Sequence, residues 1–344
     1  MTDQAPPSSP ATIDDVARAA GVSTATVSRA LNNHPYVATA TRQRVMEAAA
    51  RLRYIANPNA ARLASGTTRT VGIVAPVLTS WYTSEVVAGM EEVCAEQGFD
   101  LLISTADPAA VERMMSGEAR FRQRVDGMVL VDVMVREAGA ERLARADVPV
   151  VVLGEALAAV ESVSVDNVAG ASMAVQHLID LGHRHIGVIG GVSNAPGASD
   201  VPNDRLAGVL RTLGGNGLDL PPSHLVDGGF EIEGGRTAMH ALLELAHPPT
   251  GVFAMSDEMG FGAVQALRER GLVPGADVSV IGFDDHPVAD AVGLSTIRQP
   301  VRAIGRCGAE MLFRLVAGET REGHRQMQVT LVQRASTGPA PAAP

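Results

Sequence analysis

Residues 12–32 read TIDDVARAAGVSTATVSRALN, and the spacing of apolar residues in this stretch predicts two short helices joined by a tight turn. Thr12 is placed to cap a helix over IDDVARAA, with Asp14 and Asp15 in the first turn, where the helix dipole favours carboxylates. Ile13, Val16, Ala17 and Ala20 recur at helical spacing and share one face. Gly21 ends that helix, and Ser23 caps a second over TATVSRAL. In it Val27, Ala30 and Leu31 face inward, while Thr24, Ala25, Ser28 and Arg29 share the opposite face. A third helix, capped by Thr39, runs through ATRQRVMEAAARL. Two short helices around a glycine turn, braced by a third, are the parts of a helix-turn-helix domain, here over residues 12–55.

The formal charge of the whole chain, −10 over 344 residues, speaks against a polyanion reader until it is divided. Residues 1–70 hold eight arginines and four acids, a balance of +4, which leaves −14 for residues 71–344. A basic head on an acidic body points to a small nucleic-acid-binding module carried by a larger sensor. Small outward residues on the second helix let its backbone approach a major groove. Thr24 suits a base edge, the Ala25 methyl suits a thymine methyl, and Arg29 suits guanine. Ser23, Ser28, Thr41 and Arg42 are placed for phosphates, which fix register without carrying sequence information. The same periodicity also fits a plain amphipathic three-helix bundle with a solvated arginine face.

The string Thr12, Ile13, Asp15, Val16, Ala17, Ala20, Gly21, Val22, Ser23, Thr26, Val27, Ser28, Arg29, Leu31, Asn32 closely resembles the N-terminal signature of the LacI/GalR family of bacterial transcription regulators. The next segment, YIANPNAARLASG at 54–66, reads as a short helix capped by Asn57, with Pro58 at its first position and Gly66 at its stop. A helix so short is unstable alone in water, which suits a switch at 56–69. The resemblance implies that two such hinge helices, one per subunit, form on DNA and enter the minor groove. It places Asn57, Ala60 and Leu63 there, with Leu63 as the wedge that opens a base step. This chain carries Ala56 where the family usually has proline, which shifts the cap.

From residue 70 onward apolar strands alternate with helical runs: TVGIVAPV, FDLLIST, VDGMVLVDV, PVVVLG, HIGVIGG, TGVFAMSD and VSVIGFDD. Near-continuous Val/Ile strands imply parallel sheets covered on both faces, with sites at the strands' carboxyl ends. The resemblance covers essentially the whole chain and implies a fold of two classes: an all-α helix-turn-helix head plus an α/β two-lobed periplasmic-binding-protein-like body over 70–337. Its N-lobe would take about 70–165 and 300–326, its C-lobe about 166–299 and 327–337, with crossovers near 164–168, 297–300 and 326–330. Residues 1–11 and the tail 338–344 read as disordered.

Effector candidates stand at the strand ends and crossovers. Asp284 and Arg205 match family positions that reach into the cleft; Ser256 and Asp257 follow another strand; Gln299 sits at a crossover; Trp81, Tyr82 and Phe230 offer rings for stacking. Plainer roles compete: Asp257 and Asp285 as helix caps, Asp166 as an anchor, Trp81 as a dimer contact. His183 and His185 form a bare HxH without a carboxylate or cysteine at metal spacing, so no metal is expected. The glycines of VIGGVSNAPG lack a dinucleotide or Walker pattern, and no Ser/His/Asp arrangement emerges, so neither a cofactor nor an enzyme is expected. Cys94 and Cys307 make no disulfide framework, the first ten residues carry no secretory pattern, and no apolar run is long enough to span a membrane.

These features describe a cytoplasmic, nucleoid-associated regulator that binds a pseudo-palindromic operator on double-stranded DNA as a homodimer. In its cleft a small metabolite is expected, a sugar by family habit, with a nucleoside or another non-sugar metabolite as the alternative. A solute-binding receptor of the same body fold is the competing class.

Overall fold

A computed structural model describes residues 11–31, 34–54, 67–75, 77–105, 124–135, 137–191 and 200–341. The chain divides after Thr68 into two units. In the head, α1 (Ile13–Ala20), α2 (Thr24–Leu31) and α3 (Thr39–Arg51) enclose a core in which Val16, Val27 and Val45 are fully buried among alanines. Thr12 and Asp15 form a reciprocal capping box on α1: the Asp15 N–H donates to the Thr12 hydroxyl at 3.3 Å, and the Thr12 N–H donates to the Asp15 carboxylate at 3.0 Å. Gly21 ends α1 with φ +66°, a left-handed conformation that glycine adopts without strain. The Ser23 hydroxyl accepts the Thr26 N–H at 3.2 Å at the start of α2. The expected cap of α3 is corrected: Thr39 is the first helical residue, and Ala38 stands at the cap with no side chain to accept a bond.

The body begins with β1 (Thr70–Ala75), α4 (Trp81–Gln97), β2 (Asp100–Thr105), β3 (Gly127–Val131), α5 (Glu137–Ala144), β4 (Val150–Leu153) and β5 (Glu161–Val165). It continues with α6 (Asn167–Asp180), β6 (Ile186–Gly190), α7 (Val201–Gly215), β7 (Leu225–Asp227), α8 (Ile232–Leu243), β8 (Gly251–Ala254), α9 (Asp257–Glu269), β9 (Ser279–Asp284), α10 (Val288–Val292) and β10 (Ser295–Arg298). Last come α11 (Val301–Val316), β11 (His324–Met327) and β12 (Thr330–Val332).

Two six-stranded sheets result, ordered β11-β5-β4-β3-β1-β2 and β12-β10-β9-β8-β6-β7. Every pairing is parallel except β10 with β12. Strands β3, β4, β5, β6, β8 and β9 are buried along their whole length, as a sheet covered on both faces requires. The chain passes between the lobes after β5, after β10 and between β11 and β12. Asp166 caps α6 at the first passage, its carboxylate accepting the Ala169 N–H at 2.7 Å.

Part of the C-terminal tail departs from expectation. The Gly338 N–H donates to the Ser279 hydroxyl at 3.0 Å and the Ala340 N–H to the Leu181 carbonyl at 2.8 Å, so the segment to residue 340 docks on the C-lobe. Its composition signals disorder, but its backbone groups find partners on elements far away in sequence. The N-terminal residues 1–10 and the hinge positions Asn57, Ala60 and Leu63 lie outside the described residues.

Candidate functional site

In the head, the outer face of α2 is open. Ser23, Thr24, Ala25 and Arg29 are exposed and Ser28 is half-buried, which leaves side chains and backbone free to meet a groove. Thr41 and Arg42 are half-buried in the first turn of α3. One Arg42 guanidinium N–H donates to the His34 carbonyl at 2.8 Å, so Arg42 braces the turn between α2 and α3.

In the body, a cavity of about 770 Å³ opens where strands of both sheets end. Asp132 follows β3, Gly154 follows β4, Gly191 follows β6, Ser256 stands just beyond β8, Asp284 ends β9 and Gln299 follows β10, and all line the cavity. Parallel strands all deliver their carboxyl ends to the same rim, so one topology positions every one of these groups.

Arg205, on α7, is the cationic centre of this wall and is only 5 % exposed. Its Nε–H donates to Asn167 Oδ1 at 2.9 Å, an Nη1–H donates to the Met255 carbonyl, and its guanidinium lies 3.7 Å over the Phe283 ring. Burial lowers its pKa while Asp284 and Asp132 hold it up, and a guanidinium so placed stays charged. Asp284 accepts from Gln299 Nε2 at 2.6 Å. Burial pushes its carboxyl up, against the pull of Arg205 and Gln299. Tyr82 shares the wall, and burial followed by the Asp132 charge raises its hydroxyl well above the ordinary tyrosine value. Phe230 also lines the cavity, with φ +58° and its ring so close to Gly191 that a Cβ there would stand 2.1 Å from the ring.

Of the eight candidates, the cavity gathers Tyr82, Arg205, Phe230, Ser256, Asp284 and Gln299. Trp81 and Asp257 do not line it. Successive helical residues point about 100° apart, so Tyr82 turns inward while Trp81 packs on His286 with ring centroids 4.7 Å apart. His286 in turn meets Phe261 edge-on at 5.3 Å. Asp257 is fully buried behind the wall, accepting the Thr296 hydroxyl at 2.6 Å and the His286 N–H at 2.7 Å. Ser256 caps α9 as well as lining the cavity, its hydroxyl accepting the Met259 N–H at 3.3 Å.

Sequence reasoning passed over Asp132, Asn167 and Glu258. Asp132, the last but one residue of the quoted stretch VDGMVLVDV, directly follows β3 and obeys the strand-end rule as well as Asp284 does. Its backbone is left-handed, φ +49°, and burial, then Glu155 and Asp284, push its carboxyl up to about 7 despite Arg205. His183 is buried and bonded to the Thr250 and Ser279 hydroxyls at 3.0 and 2.9 Å, a structural role. Among the described residues no group of three or more His, Cys, Asp or Glu is placed to hold a metal ion, and no helix is long and apolar enough to cross a membrane.

Residues 12–57 match the family described as bacterial regulatory proteins, lacI family, and residues 175–337 match the periplasmic binding protein-like domain. Over 336 residues the chain is 33% identical to the HTH-type transcriptional repressor CytR of Escherichia coli (strain K12), covering 96% of this chain and 97% of that one. A crystal structure of the lac repressor dimer bound to operator and the anti-inducer ONPF aligns with a TM-score of 0.83 at 28% identity, over 96% of this chain and 100% of the other. The complex of the transcriptional regulator CelR with cellobiose aligns with a TM-score of 0.67 at 30% identity, over 95% of this chain and 99% of the other.

Proposed function

The chain belongs to the lacI family of bacterial regulatory proteins, and from that premise we propose how its own residues do the work of a ligand-responsive transcriptional repressor. A homodimer acts in the cytoplasm on a pseudo-palindromic operator, each head reading one half-site. Helix α2 enters the major groove, where Thr24, Ala25 and Arg29 meet base edges and Ser23, Ser28, Thr41 and Arg42 hold phosphates. Asn57, Ala60 and Leu63 serve the minor groove. The observation that supports a ligand-controlled regulator over a bare DNA binder is the cavity itself, whose wall is drawn from the strand ends of both lobes. A ligand that bridges those walls favours one arrangement of the lobes and biases DNA affinity through it.

The effector is a small hydroxyl-rich metabolite, a sugar in the first instance. Arg205 and Asp284 supply a donor and an acceptor at the floor, and Tyr82 and Phe230 supply flat faces. Those two rings also suit a nucleobase, which keeps a nucleoside as the second reading.

Selection of bound fragments from a random DNA pool tests the operator claim. The enriched sequence is expected to show two inverted half-sites, and affinity is expected to fall steeply with salt. Enrichment of a single unrepeated site would overturn the dimer reading. Leu63→Ala is expected to weaken operator binding while leaving ligand affinity intact. Unchanged operator affinity would remove Leu63 from the hinge mechanism.

A further inference from the structure

The charge of the cavity is one-sided. Among the described residues, six carboxylates, those of Asp132, Asp227, Glu231, Glu233, Glu258 and Asp284, line it against one cation, Arg205. That cation is already engaged by Asn167, the Met255 carbonyl and the Phe283 ring, and it is only 5 % exposed. Burial raises the carboxyls of Asp132, Glu258 and Asp284, that of Asp132 to about 7, so the wall is fully anionic only above neutral pH, where its carboxylates accept hydrogen bonds and donate none. A ligand bearing hydroxyl or amino groups brings the donors this wall lacks. A phosphate or carboxylate brings more acceptors and a like charge into a partly enclosed space, where Coulomb repulsion is screened less than in water.

Asp132 and Glu258 stand out within the six. They come from opposite lobes, one after β3 and one on α9, and the cation whose field reaches Asp132 is the already engaged Arg205. Glu233, by contrast, is neutralised by Arg236 at 2.6 Å, and Asp284 is bonded to Gln299. Burial pushes the Glu258 carboxyl up, and the Trp81 backbone N–H opposes that shift.

Resting on the reading of this cavity as the effector site, we propose that it selects a donor-rich ligand with no net negative charge, and that Asp132 and Glu258 reject phosphorylated or carboxylated counterparts of that ligand. The two residues act as a charge filter: hydroxyls and amines satisfy them, and anions do not.

Matched probes test this on the full chain at about pH 8, above the titration of Asp132 at about 7, by thermal shift and calorimetric titration. The sets are ribose with ribose 5-phosphate, glucose and glucosamine with glucose 6-phosphate and gluconate, and adenosine with adenosine monophosphate. In whichever set binds, the neutral or amino member is expected to bind at least about tenfold more tightly than its anionic counterpart. Asp132→Asn and Glu258→Gln, both near-isosteric, are expected to narrow that ratio by admitting the anion, with the melting temperature of each variant checking its fold. An anionic probe that binds as tightly as its neutral partner, or a ratio unchanged in both variants, overturns the filter while leaving the effector site standing. Failure of every probe to bind counts against the effector-site reading itself, and the filter falls with it.

Discussion

At Asp284 the backbone takes φ +133°, and Asp132 and Phe230 take +49° and +58°, so three non-glycine residues in left-handed territory face one cavity. Each such conformation costs on the order of 1–3 kcal/mol and persists only where the surroundings enforce it. Here the enforcement comes from the strand ends, which hold the carboxylates where a ligand can use them. Asp132 also makes a pH prediction. Burial pushes its carboxyl up to about 7, well above the ordinary aspartate range, so the folded body holds this proton more tightly than the unfolded chain. Its contribution to stability is therefore largest at low pH and declines from about pH 4 through pH 7. Asp132→Asn removes that decline. In urea melts of the ligand-free protein the variant is expected to gain on the parent between pH 5 and pH 8, and parallel curves would contradict the burial of that charge. In the head, Arg29→Ala is expected to cost about 1–3 kcal/mol of operator affinity and relax preference at one base pair, read by competition between operator variants. A loss equal across all variants would make Arg29 a phosphate contact.

At the scale of elements, α4 and α11 cross at glycines. A Cβ on Gly89 would stand 2.1 Å from the Arg302 carbonyl oxygen, and one on Gly305 would stand 2.1 Å from the Val86 carbonyl oxygen. Both obstacles are backbone, so the helices would have to move apart. Gly89→Ala is expected to cost roughly 1–3 kcal/mol or more by overpacking, visible as a lower melting temperature. An unchanged melting temperature would show that the crossing can relax. The strands were legible in the sequence because a fully buried parallel strand is an unbroken Val/Ile run, and the head helices because their apolar period and Gly21 agree. The glycines inside α4 and α11 were not legible, since a helical glycine reads as a weak point until its neighbour is known. The start of α3 was misread for a related reason: threonine is a good cap, but helix starts shift by a residue when packing permits. The docked tail was hidden because its partners, Ser279 and Leu181, are distant in sequence.

For the molecule as a whole, dividing the charge at residue 70 turned an acidic protein into a basic reader and an acidic sensor. The strand-end rule located most of the cavity wall from sequence, and Asp132 fell under it unused. Trp81 could not be separated from Tyr82 in sequence, because their directions depend on where α4 begins. Its place against His286 gives the chain's single tryptophan a position between the lobes, so its fluorescence is expected to change when a ligand alters their closure. A ligand-induced thermal shift without any change in that emission would place closure elsewhere. We propose that the cavity governs the reader. The direct measurement is operator affinity by fluorescence anisotropy, with and without a saturating ligand found in the matched-probe titrations. A shift of about 5-fold to 150-fold, equivalent to roughly 1–3 kcal/mol of coupling, is expected, and Phe230→Ala should diminish it. Identical operator affinity with the cavity filled and empty would contradict the claim.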